Sequence, residues 1–139
     1  MEATVAPQAG QPRLMADVGP MKSRAWSTLA VSAAIGACVW ALSPWLVGHR
    51  EPWDADGQFY VFALAIAGFV AGLLVPRPLW AHYLGAFVGQ LVYELLFLRI
   101  GALALLGVVF LLGYSVVFLL AAAVAGYIRS RLRARPTRV

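Results

Sequence analysis

The chain is expected to be an all-α membrane protein: a four-helix transmembrane bundle with short loops, N-in and C-in. Three observations predict this. Apolar stretches at about 25–47, 59–75, 79–98 and 102–128 fill most of the 139 residues. Hydrophobic residues make up 62% and charged residues 12%, against roughly 45–50% and about 25% in soluble domains. The cations gather at one set of span ends. A soluble domain of this length could not hide so much apolar surface, whereas a bundle in lipid is free to be as apolar outside as inside.

Residues 1–23 carry Pro7, Gly10, Pro12, Gly19 and Pro20 without periodicity and read as a flexible cytoplasmic tail. Met15 and Met21 within it leave open a shorter start. The four-span domain is placed at 24–128 and a basic cytoplasmic tail at 129–139. The first span follows Lys22 and Arg24 and supplies 23 residues, where about 20 suffice to cross the hydrocarbon core. Small residues through Ser32–Ala37 keep its middle thin, and Pro44 is expected to kink or end it.

The polar segment Gly48–Gln58 forms an outer loop. The second span carries Gly68 and Gly72. Pro76-Arg77-Pro78 then forbids a continuous helix and makes a tight turn. The third span carries Gly85, Gly89, Gln90 and Glu94 and closes at Arg99. The fourth has 27 residues, more than a core of about 30 Å requires at about 1.5 Å per residue, so tilt or a bend near Gly107 or Gly113 is expected. Backbone groups in lipid must bond within their own segment, which makes such runs helical. A barrel would show short alternating segments instead.

Orientation follows from charge. Arg13, Lys22, Arg24, Arg77, Arg129, Arg131, Arg133, Arg135 and Arg138 fall on one side, and only Arg50 and Arg99 on the other. Cytoplasmic segments hold the excess of Lys and Arg, so both termini are expected in the cytoplasm. Trp26 and Trp80 fall at that boundary and Trp45 and Trp53 at the outer one, with Trp40 about a turn deeper. The arginines of the last tail, Arg129, Arg131, Arg133 and Arg135, serve as a topology signal and suit anionic lipid headgroups. The net charge of +5 points to no nucleic acid, because the cations do not form a groove mixed with aromatics.

Gln90 and Glu94 are the candidate functional polar face. At i and i+4 they share a side of the helix, with Tyr83 and Phe87 before and Phe97 after. An ionisable residue inside a span is a functional-site hypothesis by default. One reading makes Glu94 a proton- or cation-handling carboxylate. The other pairs it with Arg99, Arg50 or His49 at the outer interface, and its shallow depth favours that. Gln90 suits an interhelical hydrogen bond, with Tyr114 and Ser115 as partners. Gly68/Gly72 and Gly85/Gly89 predict close helix packing, within one chain or between copies.

Other signals are weaker. His82 reads as interfacial, with no second histidine placed for a metal site. Asp54-Ala55-Asp56-Gly57 lacks the further oxygen ligands of a calcium loop and reads as a solvated turn. Ile35-Gly36-Ala37-Cys38 has a lipoprotein-like ending, but the apolar run continues past Cys38 where a polar tether belongs. No nucleophile–base pair, phosphate loop or zinc motif occurs, so no enzyme, cofactor or metal is expected. The functional expectation is a small polytopic subunit, assembly or scaffold protein acting by packing. The bilayer, a homo-oligomer or a larger membrane complex are its partners. A small oligomeric transporter or channel with Gln90 and Glu94 on a polar path is the alternative. Richness in Ala, Leu and Arg suits a GC-rich bacterial genome, hence a bacterial cytoplasmic (inner) membrane.

Overall fold

The computed structural model describes residues 18–55, 57–98 and 104–134. Four α-helices follow one another: α1 (Val18–Val47), α2 (Gly57–Leu74), α3 (Leu79–Phe97) and α4 (Ala104–Arg133). A single 3-10 turn, Pro52–Asp54, sits between α1 and α2. The fold is all-helical over the described residues. Two helices are long and apolar enough to cross a membrane, over Lys22–Val47 and Ala104–Arg133, and the apolar part of α2, Gln58–Leu74, is shorter.

Both long helices overrun the apolar stretches that predict them. α1 begins at Val18, inside the segment read as a tail, and α4 continues to Arg133, five residues past Ile128. The apolar pattern marks where lipid would lie, not where a helix must stop. Pro20 falls in the first turn of α1, where a missing N–H leaves no bond unmade. Arg131 and Arg133 in the last turn of α4 face the negative end of the helix dipole. Residues 1–17, Asp56, Arg99 and Arg135 lie outside the described residues.

Pro44 does not end α1, which runs three residues further. The stop is Gly48, whose φ of 77° is a left-handed conformation that suits glycine. Its N–H returns to the Pro44 carbonyl at 3.2 Å, the usual closure of a left-handed helix cap. Ser43 Oγ then donates to the His49 carbonyl at 2.8 Å and ties down the start of the loop.

The helices do not pack mainly as sequential hairpins. α1 lies chiefly on α3 and α2 on α4, while α2 and α3 hardly touch despite their short connection. Glycine placement explains the choice. A methyl built on Gly68 would sit 2.9 Å from the Phe118 carbonyl carbon, and one on Gly72 2.7 Å from Ala122 Cα. One on Gly85 would sit 2.8 Å from Ser32 Cβ, and one on Gly89 2.6 Å from the Ala33 carbonyl carbon. The two glycine pairs therefore do not meet each other; each receives the backbone of a different helix. In both contacts residue numbers rise together, so α1·α3 and α2·α4 are parallel pairs. Backbone approach of this kind maximises dispersion contact between the paired helices.

The interior mixes small and polar residues with a few large apolar ones, Trp40, Leu64, Leu111 and Phe118, and the exterior is apolar. Thr28, Ser32, Gly36, Trp40 and Ser43 form the buried face of α1, and Ala81, His82, Gly85, Ala86, Gly89 and Gln90 that of α3. Exposed positions include Leu46, Phe62, Ile66, Leu96, Leu105 and Leu120, each at 60% or more. Water would penalise that arrangement on every helix.

Candidate functional site

The sequence-predicted pair separates in space. Gln90 is fully buried, whereas Glu94, one turn on, is half-buried and Phe97 is exposed. The inner stripe of α3 runs through His82, Ala86 and Gln90, at spacings of four that fall on one side of a helix. Tyr83 and Phe87 lie beside it. Tyr83 reaches the Leu112 carbonyl of α4 at 3.2 Å.

Gln90 is the meeting point of all four helices. Its Oε1 accepts from Trp40 Nε1 of α1 at 3.3 Å and from the Tyr60 hydroxyl of α2. Its Nε2 donates to the Ala86 carbonyl at 2.9 Å and to Ser115 Oγ of α4 at 3.5 Å. Ser115 passes its own proton to the Leu111 carbonyl at 2.7 Å. A primary amide has two donors and two lone pairs, and every one is engaged. Tyr114, the other partner expected for Gln90, instead stacks edge-on against Tyr60, with ring centres 4.6 Å apart.

Trp40 lies about a turn deeper than the tryptophans of the outer boundary. It is fully buried and carries the aromatic part of the same cluster. Trp53 meets it edge-on at 4.7 Å and Tyr60 at 6.4 Å. Trp53 comes from the 3-10 turn, so the loop folds inward over this end of the bundle. Its indole N–H donates to Glu51 Oε2 at 2.8 Å.

Glu94 lies beneath that loop. A methyl on Gly107 would stand 3.1 Å from Glu94 Oε1 and 3.8 Å from Trp53. The absence of a side chain at Gly107 thus gives the carboxylate its space against α4. Glu94 Oε2 is buried and has no hydrogen-bond partner among the described residues. His49 and Arg50, two of the three partners expected for it, are exposed on the loop. Arg99, the third, lies outside the described residues.

A second polar contact lies two turns away, toward the other end. His82 is fully buried among the helices. Its Nε2 is 2.7 Å from the Val75 carbonyl, and its Nδ1 is 2.8 Å from Ser32 Oγ. A carbonyl only accepts, so Nε2 carries the proton, and a neutral ring then accepts the Ser32 proton at Nδ1. Thr28 Oγ1 lies 2.8 Å from the Arg77 carbonyl and fastens α1 to the same turn.

Between the His82 and Gln90 clusters α1 and α3 pack closely. Gly36 meets Ala86 so closely that a methyl on Gly36 would lie 3.0 Å from the Ala86 carbonyl oxygen. Phe118, fully buried, adds its ring near His82, with centres 6.5 Å apart. The interior therefore holds two separate polar knots and an apolar plug. Among the described residues no three of His, Cys, Asp and Glu gather where they could hold a metal. Cys38 is exposed in mid-helix, beside an apolar groove between α1 and α2.

The residues missed by sequence reasoning are Ser32, Trp40, Tyr60 and His82 as interior partners. Spacing alone carried a signal. Thr28, Ser32, Gly36 and Trp40 recur every four residues, as do His82, Ala86 and Gln90. Two stripes of small or polar residues on apolar helices mark buried faces.

The arginines of the last helix divide. Arg129 Nη1 donates to the carbonyls of Leu73, and of Leu74 at 2.9 Å, at the end of α2. Arg131 turns onto Tyr127, with Nε 2.9 Å from its hydroxyl and the guanidinium 5.1 Å from the ring centre. Arg133 and Arg129 line a cavity with Arg24 and Arg77. The chain matches no family model, no curated protein and no solved structure.

Proposed function

We propose that this chain is a small polytopic integral membrane protein that works by helix packing, as a subunit, assembly factor or scaffold, without catalysing a reaction. In this reading α1 to α4 all span a bacterial cytoplasmic (inner) membrane, with both termini in the cytoplasm. The observation that carries it is the saturated Gln90 node. One amide joins all four helices and leaves no donor or acceptor for a substrate. The bare backbone contacts at Gly72 and Gly89 and the apolar exterior support the same reading.

Length is compatible with four spans. α2 and α3, with 18 and 19 residues, extend about 27–29 Å, close to a core of about 30 Å. The polar groups of α3 lower its hydropathy, but Gln90 and His82 are fully covered by neighbouring helices. The interior plug at Gly36 and Ala86 weighs against a continuous path within one chain. Partners are then the lipid bilayer and either further copies or a larger membrane complex.

The second reading is an oligomeric transporter or channel with Gln90 and Glu94 on its polar path. Oε2 of Glu94, which has no partner among the described residues, favours it, since an intramembrane carboxylate is costly to keep. Reconstitution separates the two. Proton and cation flux is measured in proteoliposomes for wild type and Glu94→Gln. No flux, with co-purification of a larger complex, is the expected result. Flux abolished by Glu94→Gln overturns the packing reading.

A further inference from the structure

A cavity of about 560 Å³ opens at the end of the bundle where α1 and α3 begin and α2 and α4 end. Four arginines from three parts of the chain converge on it: Arg24 of α1, Arg77 of the α2–α3 turn, and Arg129 and Arg133 of α4. Tyr127 also lines it, and among the described residues no carboxylate does. Glu51, Asp54 and Glu94 belong to the opposite end of the bundle. Nothing described neutralises these four cations from within.

The selection is specific. Arg131, in the same turn of α4, is turned aside onto Tyr127 and does not line the cavity. Arg129 is held in place by the Leu73 and Leu74 carbonyls through one nitrogen of its fork. Like charges around a small partly apolar cavity repel one another, and a bound anion reverses the sign of that interaction. Guanidinium forks match phosphate oxygens in geometry as well as charge. The volume falls within the range of ordinary ligand sites. Trp26 and Trp80, both exposed near this end, suit the headgroup level of a membrane.

We propose that this cavity binds a phosphate-bearing anion, supplied either by the headgroup of an anionic phospholipid or as free phosphate. The lipid source rests on the membrane reading above, because a headgroup reaches the cavity only if this end lies at a leaflet surface. The site differs from a diffuse basic tail in using Arg24 and Arg77, more than fifty residues before Arg129.

The test uses full-length wild type, R24Q/R77Q and, as a control at the other end, R50Q. Each is placed in nanodiscs of phosphatidylcholine alone or mixed with phosphatidylglycerol, and lipid retained through delipidation is identified by native mass spectrometry. In parallel, unfolding midpoints in neutral detergent are compared with inorganic phosphate or chloride added. Wild type and R50Q are expected to retain phosphatidylglycerol preferentially, with the preference weakened about fivefold for each guanidinium removed. A phosphate-specific rise in midpoint that R24Q/R77Q loses supports the site with free phosphate as its source. Equal retention of both lipids with no phosphate response overturns the proposal, and so does an unchanged preference in R24Q/R77Q. If the double variant does not fold, R77Q and R133Q decide by the same criteria. A chain that needs neither detergent nor lipid to stay in solution refutes the membrane reading and the lipid source with it. Insertion without lipid preference or phosphate response refutes this proposal alone.

Discussion

Trp40 of α1 donates its indole N–H to the side-chain oxygen of Gln90 of α3 at 3.3 Å, in a fully buried setting. Tyr60 donates to the same oxygen, and the Trp40 N–H is shared with the Tyr60 hydroxyl at 3.3 Å. Each polar atom depends on the others, because none has water to turn to. Removing the hub is therefore worse than removing one spoke.

Gln90→Leu is expected to lower stability by about 2–3 kcal/mol, since it strands several buried groups at once. Tyr60→Phe should cost about 1 kcal/mol, within the range of interhelical bonds in lipid. The double variant should fall short of the sum by about 1 kcal/mol, the mark of groups in one network. Reversible unfolding in mixed micelles gives all three values. Additive losses would show that the node is not a unit.

The glycines make a sharper contrast because one of them is a built-in control. Gly72→Ala and Gly89→Ala press a methyl onto backbone atoms at 2.7 Å and 2.6 Å, and backbone cannot turn aside. Each should cost about 2 kcal/mol or more by overpacking. At Gly113 nothing lies within 4 Å of the added methyl, and Ala should be neutral or stabilise α4 by about 0.5–1 kcal/mol. Thermal unfolding in detergent ranks the three. Equal effects at Gly72, Gly89 and Gly113 would mean that the close contacts carry no packing energy.

The helices themselves were legible because apolar length and proline turns are local signals. The Pro76-Arg77-Pro78 break and the Gly48 region appear where the sequence places them. Helix ends were less legible: Val18 and Arg133 lie beyond the apolar runs because a helix outlasts its hydrophobic stretch. Pairing was not legible. Gly68 and Gly85 sit on consecutive helices, yet they do not face each other: Gly68 meets Phe118 of α4 and Gly85 meets Ser32 of α1. Gln90 was legible as an interhelical hydrogen-bonding residue with Tyr114 and Ser115 as candidates, of which Ser115 is its partner, whereas Trp40 was legible only as lying deeper than the boundary tryptophans and not as a partner of Gln90. Glu94 illustrates the limit, since Gly107, which makes room for it, is thirteen residues away in sequence and on another helix.

His82 offers a spectroscopic prediction. With Nε2 facing the Val75 carbonyl at 2.7 Å and Nδ1 facing Ser32 at 2.8 Å, the Nε2–H tautomer should predominate. Nitrogen chemical shifts of labelled histidine in bilayers report this directly. Ser32→Ala should leave the tautomer unchanged and cost about 1 kcal/mol. A dominant Nδ1–H signal in wild type would contradict the geometry, because two acceptors, Nε2 and the Val75 carbonyl of the α2–α3 turn, would then face each other.

Glu94→Gln tests the carboxylate under the loop. Oε2 is buried without a partner among the described residues, and Oε1 lies beside the bare Gly107 surface. Replacing a carboxylate by an amide removes the cost of a desolvated charge and sacrifices no bond seen here. The variant should therefore match wild type or exceed it by up to about 1 kcal/mol in unfolding free energy. Gly107→Ala probes the same pocket from α4, placing a methyl 3.1 Å from Oε1. It should cost less in the Glu94→Gln background, because a neutral amide yields more readily than a charge that loses hydration. Unfolding of the four chains, wild type, two single variants and the double, gives that coupling. A loss of more than about 1 kcal/mol in Glu94→Gln alone would show that the carboxylate holds a cation after all, with Arg99 the residue to substitute next.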